Sequence, residues 1–184
     1  MDQLIINNSI LEIFLGDFTN IEQYDVIVIP TNNRLLPSGD LRCKILRKAG
    51  TQVQLECNKI INKITQVTVG TAVITSGGSF AKYIIHTNGP RPGQGNEGKK
   101  LMLATWNSLS LADEKAAISI VLPPISIEMR GITSKLCAEA MIPTIKKYLL
   151  EKNKNLINVS ICLEKEADFE EFEKCLNRIA IKSV

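Results

Sequence analysis

The run Val26-Ile27-Val28-Ile29, which ends at Pro30, is the feature that most limits how this chain can fold. All four residues are β-branched and apolar, a composition that favours a β-strand. Because no polar residue alternates with them, the pattern indicates a strand that is buried on both faces. Such strands lie inside α/β sheets, where helices cover both faces of the sheet. The run therefore predicts an α/β fold.

Other apolar strand patterns alternate with helical patterns along the chain. The further strand patterns lie at 4–6, 10–15, 71–75, 83–87, 118–122 and 156–163. The helical patterns lie at 41–49, 101–112 and 136–150, from Thr51 onward and after Phe169. Their alternation predicts a layered α/β domain with a largely parallel sheet. Neither an internal repeat nor a linker divides the sequence, so we expect a single domain over residues 1–184.

Composition excludes several classes of function. Lys and Arg number 22 against 19 Asp and Glu, and a net charge of +3 makes a nucleic-acid partner unlikely while leaving room for a local anion site. No apolar run approaches the roughly 20 residues of a membrane span, and no signal-peptide pattern opens the chain. We therefore expect no membrane association. The oligomeric state is left open.

The cysteine and histidine counts bear on metal binding and location. Five cysteines form no C-x-x-C pair, which favours free thiols in a reducing, intracellular compartment. With a single His, His86, the chain lacks the ligands and bases of common metal sites and catalytic triads. No metal and no cofactor are expected. His86 itself ends an apolar strand pattern and is interpreted as a core residue.

Two loops follow apolar strands and lead into helices. The first loop (residues 30–40) follows Ile29, and the second loop (residues 123–131) follows Leu122. In α/β folds ligands bind beyond the carboxyl ends of the strands, and helix amino termini suit phosphate groups. The alternative is that both loops are ordinary turns that cap helices.

Several motifs make a family resemblance visible. Gly16-Asp17-Phe18-Thr19 resembles the G-D-I-T opening of macro domains, the segment 24–32 resembles their V-D-A-I-V-N-A-A-N strand and turn, and the segment 84–90 resembles their I-H-x-x-G-P. These motifs occur in the family's order, and the resemblance runs from about Leu11 to Ile179. The segments 30–32 and 81–83 look most like the macro module of a histone variant. The resemblance implies a three-layer α/β/α sandwich with a mixed, largely parallel central sheet.

The resemblance also implies a function and a site. It implies a recognition module for ADP-ribose or for ADP-ribosylated proteins, with no cofactor. Asp17 would accept a hydrogen bond from the adenine amine, Phe18 would support it through its backbone, and Asn32 would meet the distal ribose. The first diphosphate loop would be formed by Ser38, Gly39, Asp40 and Leu41. The second would be formed by Ser126, Ile127, Glu128, Met129, Arg130 and Gly131.

Departures from the family pattern keep another function open. Ile29 replaces an Asn, Arg130 replaces an aromatic residue, and Leu163 lies where an aromatic often stacks on adenine. Glu128 replaces a glycine, and a carboxylate near the diphosphate would oppose binding by about 1–4 kcal/mol. A macro-like module that has lost ADP-ribose and serves protein interaction is therefore an alternative.

A second alternative is an ADP-ribosyl hydrolase or deacylase of the macro family, which would remove ADP-ribose from a protein or a small ester. Hydrolytic members of the family pair the second Asn with an acid just after the glycine-rich loop, and Arg42 holds that place here. Asn32 and Asp40 would be the catalytic candidates, but a general base must lie within hydrogen-bond reach. We expect no catalysis. The basic group around the first loop is interpreted as a solvated helix face, and it comprises Arg34, Arg42, Lys44, Arg47 and Lys48.

Overall fold

Seven strands and five α-helices make up the described part of the chain. The computed structural model describes residues 2–21, 23–127 and 131–181. The strands are β1 (Gln3–Ile6), β2 (Ser9–Leu15), β3 (Val26–Pro30), β4 (Ala72–Ser76), β5 (Tyr83–Thr87), β6 (Ser119–Leu122) and β7 (Asn158–Leu163). The helices are α1 (Asp40–Ala49), α2 (Thr51–Ile64), α3 (Glu97–Glu114), α4 (Ser134–Glu151) and α5 (Glu166–Ile181), and a short 3-10 helix spans Phe18–Asn20.

The strands form one mixed sheet in the order β1-β2-β7-β6-β3-β5-β4. The four central pairings are parallel, and only the outer pairs β1–β2 and β4–β5 are antiparallel. Parallel strands need helical crossovers, which is why helices separate most of them along the chain. The predicted mixed, largely parallel sheet is confirmed.

Strand β3 divides the core into two layers, as its sequence predicts. Val26 and Val28 pack with residues of α3, α4 and α5 in one apolar cluster. Ile27 and Ile29 pack with residues of α1 and α2 in another. All four side chains are fully buried. The helices therefore cover both faces of the sheet, which confirms the three-layer α/β/α sandwich.

One helix begins earlier than its apolar pattern suggests. Helix α3 starts at Glu97, four residues before the predicted start at Leu101. The Glu97 carboxylate accepts a hydrogen bond from the backbone of Gly95, and its charge favours a helix amino terminus. The four glycines and two prolines of the segment 89–98 predict an exposed loop, but Gly89 and Pro90 are buried.

Two glycines place helix α1 beneath the first loop. Gly39 precedes its first residue with φ of 76°, and Gly50 follows its last residue with φ of 95°. Both angles lie in the region that L-residues rarely adopt, so glycine is favoured at each position. Gly50 also precedes α2, so this single residue connects the two helices. A glycine directly after the helical pattern 41–49 predicts a C-terminal cap at position 50, and the structure confirms it.

Two further features concern the state of the cysteines and the character of the helices. All five cysteines are free, with Cys43 partly exposed and the others buried. Within the described ranges, no helix combines the length and apolar character that a membrane crossing requires.

Candidate functional site

A cavity of about 190 Å³ opens where β3, β6 and β7 reach their carboxyl ends. Residues from the 3-10 helix, both loops, the end of β7 and the start of α5 form its walls. They are Phe18, Pro30, Gly39, Asp40, Leu41, Pro123, Pro124, Ser126, Cys162, Glu164 and Asp168. The sheet therefore brings the two predicted loops to one place.

The first loop presents the amino terminus of helix α1 to the cavity. Gly39, Asp40 and Leu41 line the cavity at this point, and Gly39, the N-cap residue of α1, has no side chain that could accept from the first N–H groups of the helix. An uncapped helix start leaves backbone N–H groups available, and the helix dipole favours an anion there. The local geometry is suited to a phosphate group.

Asp40 is the charged residue of that helix start, and it is paired. Its carboxylate lies 2.6 Å from Nζ of Lys44, one helical turn further along α1. Both side chains are largely exposed. The hydrogen bond to Asp40 raises the pKa of Lys44, so the ammonium of Lys44 remains charged at neutral pH. Asp40 is thus an ion-paired carboxylate rather than an isolated base.

The second loop contributes a buried hydroxyl with an unusual backbone. Ser126 has φ of 73° and is almost completely buried. Its Oγ has no hydrogen-bond partner among the described residues. The loop approaches Gly89 so closely that a Cβ there would lie 2.0 Å from this Oγ. Buried polar groups are normally paired, so a ligand group is a reasonable partner for Ser126.

Asp17 is exposed and organises the entry to the 3-10 helix. Its Oδ1 accepts hydrogen bonds from the backbone N and Oγ1 of Thr19, at 2.8 and 2.6 Å. Its Oδ2 accepts one from Asn20 at 2.7 Å. The bonds from Thr19 lower the pKa of Asp17. A carboxylate has room for further bonds, so Oδ2 remains able to accept from a ligand amine.

Asn32 uses its whole side chain inside the first loop. Its Nδ2 donates to the carbonyl of Leu36 at 2.9 Å and to Oγ of Ser38 at 2.8 Å. Its Oδ1 accepts from the backbone N of Arg34 at 3.0 Å and of Leu36 at 3.1 Å. An amide side chain has two donor hydrogens and two acceptor lone pairs, so all four are engaged. Asn32 must exchange at least one of these bonds to meet a ribose.

Arg42 is not on a solvated helix face, and that interpretation is wrong. Its side chain is completely buried and is the largest of the fully buried ones. It donates to the carbonyl of Leu35 at 2.8 Å, to that of Leu36 at 3.0 Å, and contacts Nδ1 of His86 at 2.8 Å. The turn at Leu35, with φ of 56°, points its carbonyl inward toward Arg42. Carbonyls beneath the loop, rather than water, thus hold this cation.

His86 is a core residue, as predicted. It is fully buried, and its Nε2 lies 2.8 Å from Oγ1 of Thr75 and 3.7 Å from Sγ of Cys57. Burial, together with the nearby charge of Arg42, lowers the pKa of His86 well below its usual value. Burial also raises the pKa of Cys57. The cluster holds a neutral imidazole and a neutral thiol.

The residue of β7 that lines the cavity is Cys162, not Leu163. Leu163 packs in the core on the side of α3, α4 and α5, whereas Cys162 faces α1 and the cavity. Neighbouring strand residues point to opposite faces, so a shift of one position exchanges core for site. Glu164 and Asp168 follow the same strand end and were also missed. The carboxyl end of the apolar segment 156–163 was the available signal.

The structure brings together only part of the predicted site. Five predicted residues line the cavity: Phe18, Gly39, Asp40, Leu41 and Ser126. Five others are described but lie outside its lining: Asp17, Asn32, Ser38, Ile127 and Gly131. Three lie outside the described residues: Glu128, Met129 and Arg130. Ile127 packs against the apolar cluster that contains Val26 and Val28. Gly131 is the last residue of the second loop.

Metal binding has no visible basis in residues 2–21, 23–127 and 131–181. There, no three His, Cys, Asp or Glu side chains cluster closely enough to hold a metal ion. The expectations of no metal and no cofactor stay predictions.

An α/β/α sandwich with two loops meeting over a strand-end cavity defines a ligand-binding α/β domain. A family profile described as the macro domain matches residues 28–141. An uncharacterised protein of Saccharolobus solfataricus is 39% identical over 172 residues, which cover 92% of this chain and 94% of that protein. The chain belongs to the macro domain family.

Solved structures agree with this assignment. An Oceanobacillus iheyensis macrodomain with ADP has a TM-score of 0.91 and 29% identity, covering 99% of this chain and 97% of that one. A Trypanosoma brucei macrodomain in complex with ADP-ribose has a TM-score of 0.80 and 25% identity, covering 90% and 68%. The finer resemblance to the histone-variant module has no support in these comparisons and stays a prediction.

Proposed function

We propose that this protein is a recognition module for ADP-ribose or for ADP-ribosylated proteins. The observation that carries the proposal is the meeting of the uncapped start of α1, through Gly39, with Ser126 of the second loop at one cavity. Helix-start amides and a buried hydroxyl without a described partner suit a diphosphate. Relatives of the same fold are solved with ADP and with ADP-ribose.

The proposed ligand would extend across the cavity from the 3-10 helix to the first loop. Asp17 would accept from the adenine amine beside Phe18, whose buried ring supports this wall. The diphosphate would lie between Gly39 and Ser126. The distal ribose would lie toward Asn32. The remaining predicted contacts, including those of the undescribed residues, belong to the same proposal.

Recognition is favoured over hydrolysis by the state of the first-loop residues. Arg42 occupies the position of the hydrolytic acid and is turned into the core, where it binds carbonyls. Asp40 is ion-paired with Lys44. Asn32 and Asp40 thus lack the free carboxylate that would activate water.

The cellular setting follows from the same proposal. Five free thiols are compatible with a reducing, intracellular compartment. We propose a single domain over residues 1–184, with ADP-ribose or modified proteins as partners.

Calorimetric titration of the full chain with ADP-ribose tests the proposal. We expect saturable binding that Gly39→Val weakens, because Gly39 lines the cavity with φ of 76°, a conformation that a branched residue rarely adopts. Gly93→Val is the matched control, because Gly93 has a similar φ of 80° and nothing within 4 Å of the added Cβ. The absence of both heat and a thermal shift at millimolar ligand would contradict the proposal. Binding gained only by Glu128→Gly would instead favour a module that has lost the nucleotide.

A further inference from the structure

The carbonyl of Leu36 accepts hydrogen bonds from two different side chains. Nδ2 of Asn32 donates to it at 2.9 Å from within the loop. Nε of Arg42 donates to it at 3.0 Å from helix α1. A carbonyl oxygen has two lone pairs, so these bonds saturate it.

Asn32 can reach a ligand only by releasing a bond that it already makes. Its four hydrogen-bonding positions are occupied by the Leu36 carbonyl, Oγ of Ser38 and the backbone N atoms of Arg34 and Leu36. Releasing Ser38 or one of the backbone N atoms would leave that group to water, which offsets part of the gain from a ligand bond. The Leu36 carbonyl is the exception, because Arg42 still pairs it after Asn32 leaves.

The Arg42 side chain is held so that it stays on this carbonyl. Its Nη2 donates to the carbonyl of Leu35 at 2.8 Å, and its Nη1 lies 2.8 Å from Nδ1 of His86. The planar guanidinium makes these contacts from one rigid group. It is fully buried, and no carboxylate in the described residues forms an ion pair with it. The Arg42 side chain is therefore held against the carbonyls of the first loop.

We propose that Arg42 is a positioning residue for recognition of the distal ribose. It keeps the Leu36 carbonyl paired and the loop in place, and so allows Nδ2 of Asn32 to turn from that carbonyl to a ribose hydroxyl. This inference rests on the proposed function. It assigns to the position that carries the acid in hydrolytic relatives a role in selecting ADP-ribose over ADP.

The test compares affinities for ADP-ribose and ADP, because only the first carries the distal ribose. We expect the native chain to bind ADP-ribose about tenfold more tightly than ADP, a difference equivalent to about one good hydrogen bond. Arg42→Met and Asn32→Ala should each weaken ADP-ribose binding more than ADP binding, and so bring the ratio of the two affinities close to one. The double variant should show no further loss, since coupled residues are not additive. Arg42→Lys should fall between, because one ammonium cannot make all three contacts.

A destabilised control separates positioning from general loss of stability. Asp113→Asn alters a buried carboxylate at the other end of the sheet, where it binds backbone N atoms of Lys154 and Asn155. This variant should be less stable and keep the ratio of affinities. A folded Arg42 variant that keeps the ratio would overturn the inference. So would a native protein that binds ADP-ribose no better than ADP, although the proposed function would then stand. A native protein that binds neither would overturn the proposed function.

A measurement on the native protein decides the matter if the variants do not fold. In nitrogen-15 NMR spectra, ADP-ribose but not ADP should shift the side-chain amide of Asn32. The Nε–H of Arg42 should stay protected from solvent exchange in both complexes. Loss of that protection on ADP-ribose binding, or an unchanged Asn32 amide, would contradict the inference.

Discussion

Nη1 of Arg42 lies 2.8 Å from Nδ1 of His86, and both side chains are completely buried. A guanidinium only donates, so Nδ1 must accept and the imidazole proton must be on Nε2. Nε2 then donates to Oγ1 of Thr75, 2.8 Å away. His86 is thus held as one neutral tautomer, and a second proton would place two cations in contact.

This arrangement predicts that stability falls as the solution is acidified. Burial and Arg42 lower the pKa of His86 in the folded state, so the unfolded chain binds a proton first. The free energy of unfolding should therefore fall progressively as the pH drops below about 6.5, the ordinary pKa of histidine in an unfolded chain. Between about pH 7.5 and about pH 5.5, urea unfolding should show a loss about 1 kcal/mol larger in the native protein than in His86→Gln. Equal losses in the two proteins would contradict this assignment.

The close approach of Gly89 to the second loop predicts that alanine is not tolerated there. A Cβ at Gly89 would lie 2.0 Å from Oγ of Ser126 and 2.7 Å from Cγ2 of Ile125. Gly89→Ala should lower the free energy of unfolding by about 1–3 kcal/mol and weaken ADP-ribose binding. Adding Ser126→Ala should recover part of the stability, because it removes only the nearer atom. Gly98→Ala is the control and should not destabilise, since its nearest atom would be 3.6 Å away.

Asp17 should select adenine over hypoxanthine. Its pKa is lowered by bonds from Thr19, so the carboxylate is charged at neutral pH and can only accept. Adenine offers an amine at that edge and hypoxanthine a carbonyl. The native protein should therefore bind ADP-ribose about tenfold or more tightly than inosine diphosphate ribose, and Asp17→Ala should remove the preference. Asn20→Ala, which keeps the carboxylate, should retain it. A native protein without any preference would show that Asp17 does not contact the base.

The charge of Asp40 at the cavity should weaken binding of an anionic ligand. Asp40→Asn removes this charge and releases Lys44, whose ammonium lies 2.6 Å away in the native protein. We expect affinity for ADP-ribose to rise about fourfold at low ionic strength, a difference that added salt should reduce. Glu151→Gln, an exposed change of equal charge at the end of α4, should leave affinity unchanged. An equal rise in both variants would point to net charge alone.

The sheet and first helix could be predicted because local residues specify them. Four consecutive apolar β-branched residues indicate the doubly buried strand β3, and Gly50 marks the end of α1. The meeting of the two loops follows from a general rule of α/β folds, in which the carboxyl ends of parallel strands share one edge of the sheet. The position of the cavity was therefore predictable.

The contacts inside the site depend on backbone geometry that no local pattern shows. Arg42 shares a helical face with Ile45 and Leu46, which is a signal of burial, yet no sequence pattern shows that Leu35 adopts φ of 56° and that its carbonyl accepts from Arg42. Cys162 rather than Leu163 lines the cavity because of the strand register, since neighbouring residues of a strand point to opposite faces of the sheet. Side-chain roles thus required the fold.

Asp113 stabilises the fold at a position away from the candidate site. Its buried carboxylate ties the end of α3 to the backbone of Lys154 and Asn155 and to the hydroxyl of Tyr148, at the edge opposite the cavity. The loops at the cavity can then change without loosening this anchor. Related proteins could change or lose ligand binding while keeping the same fold. The end of the domain at Asp113 is therefore the suitable place to attach a label, a surface or a second protein.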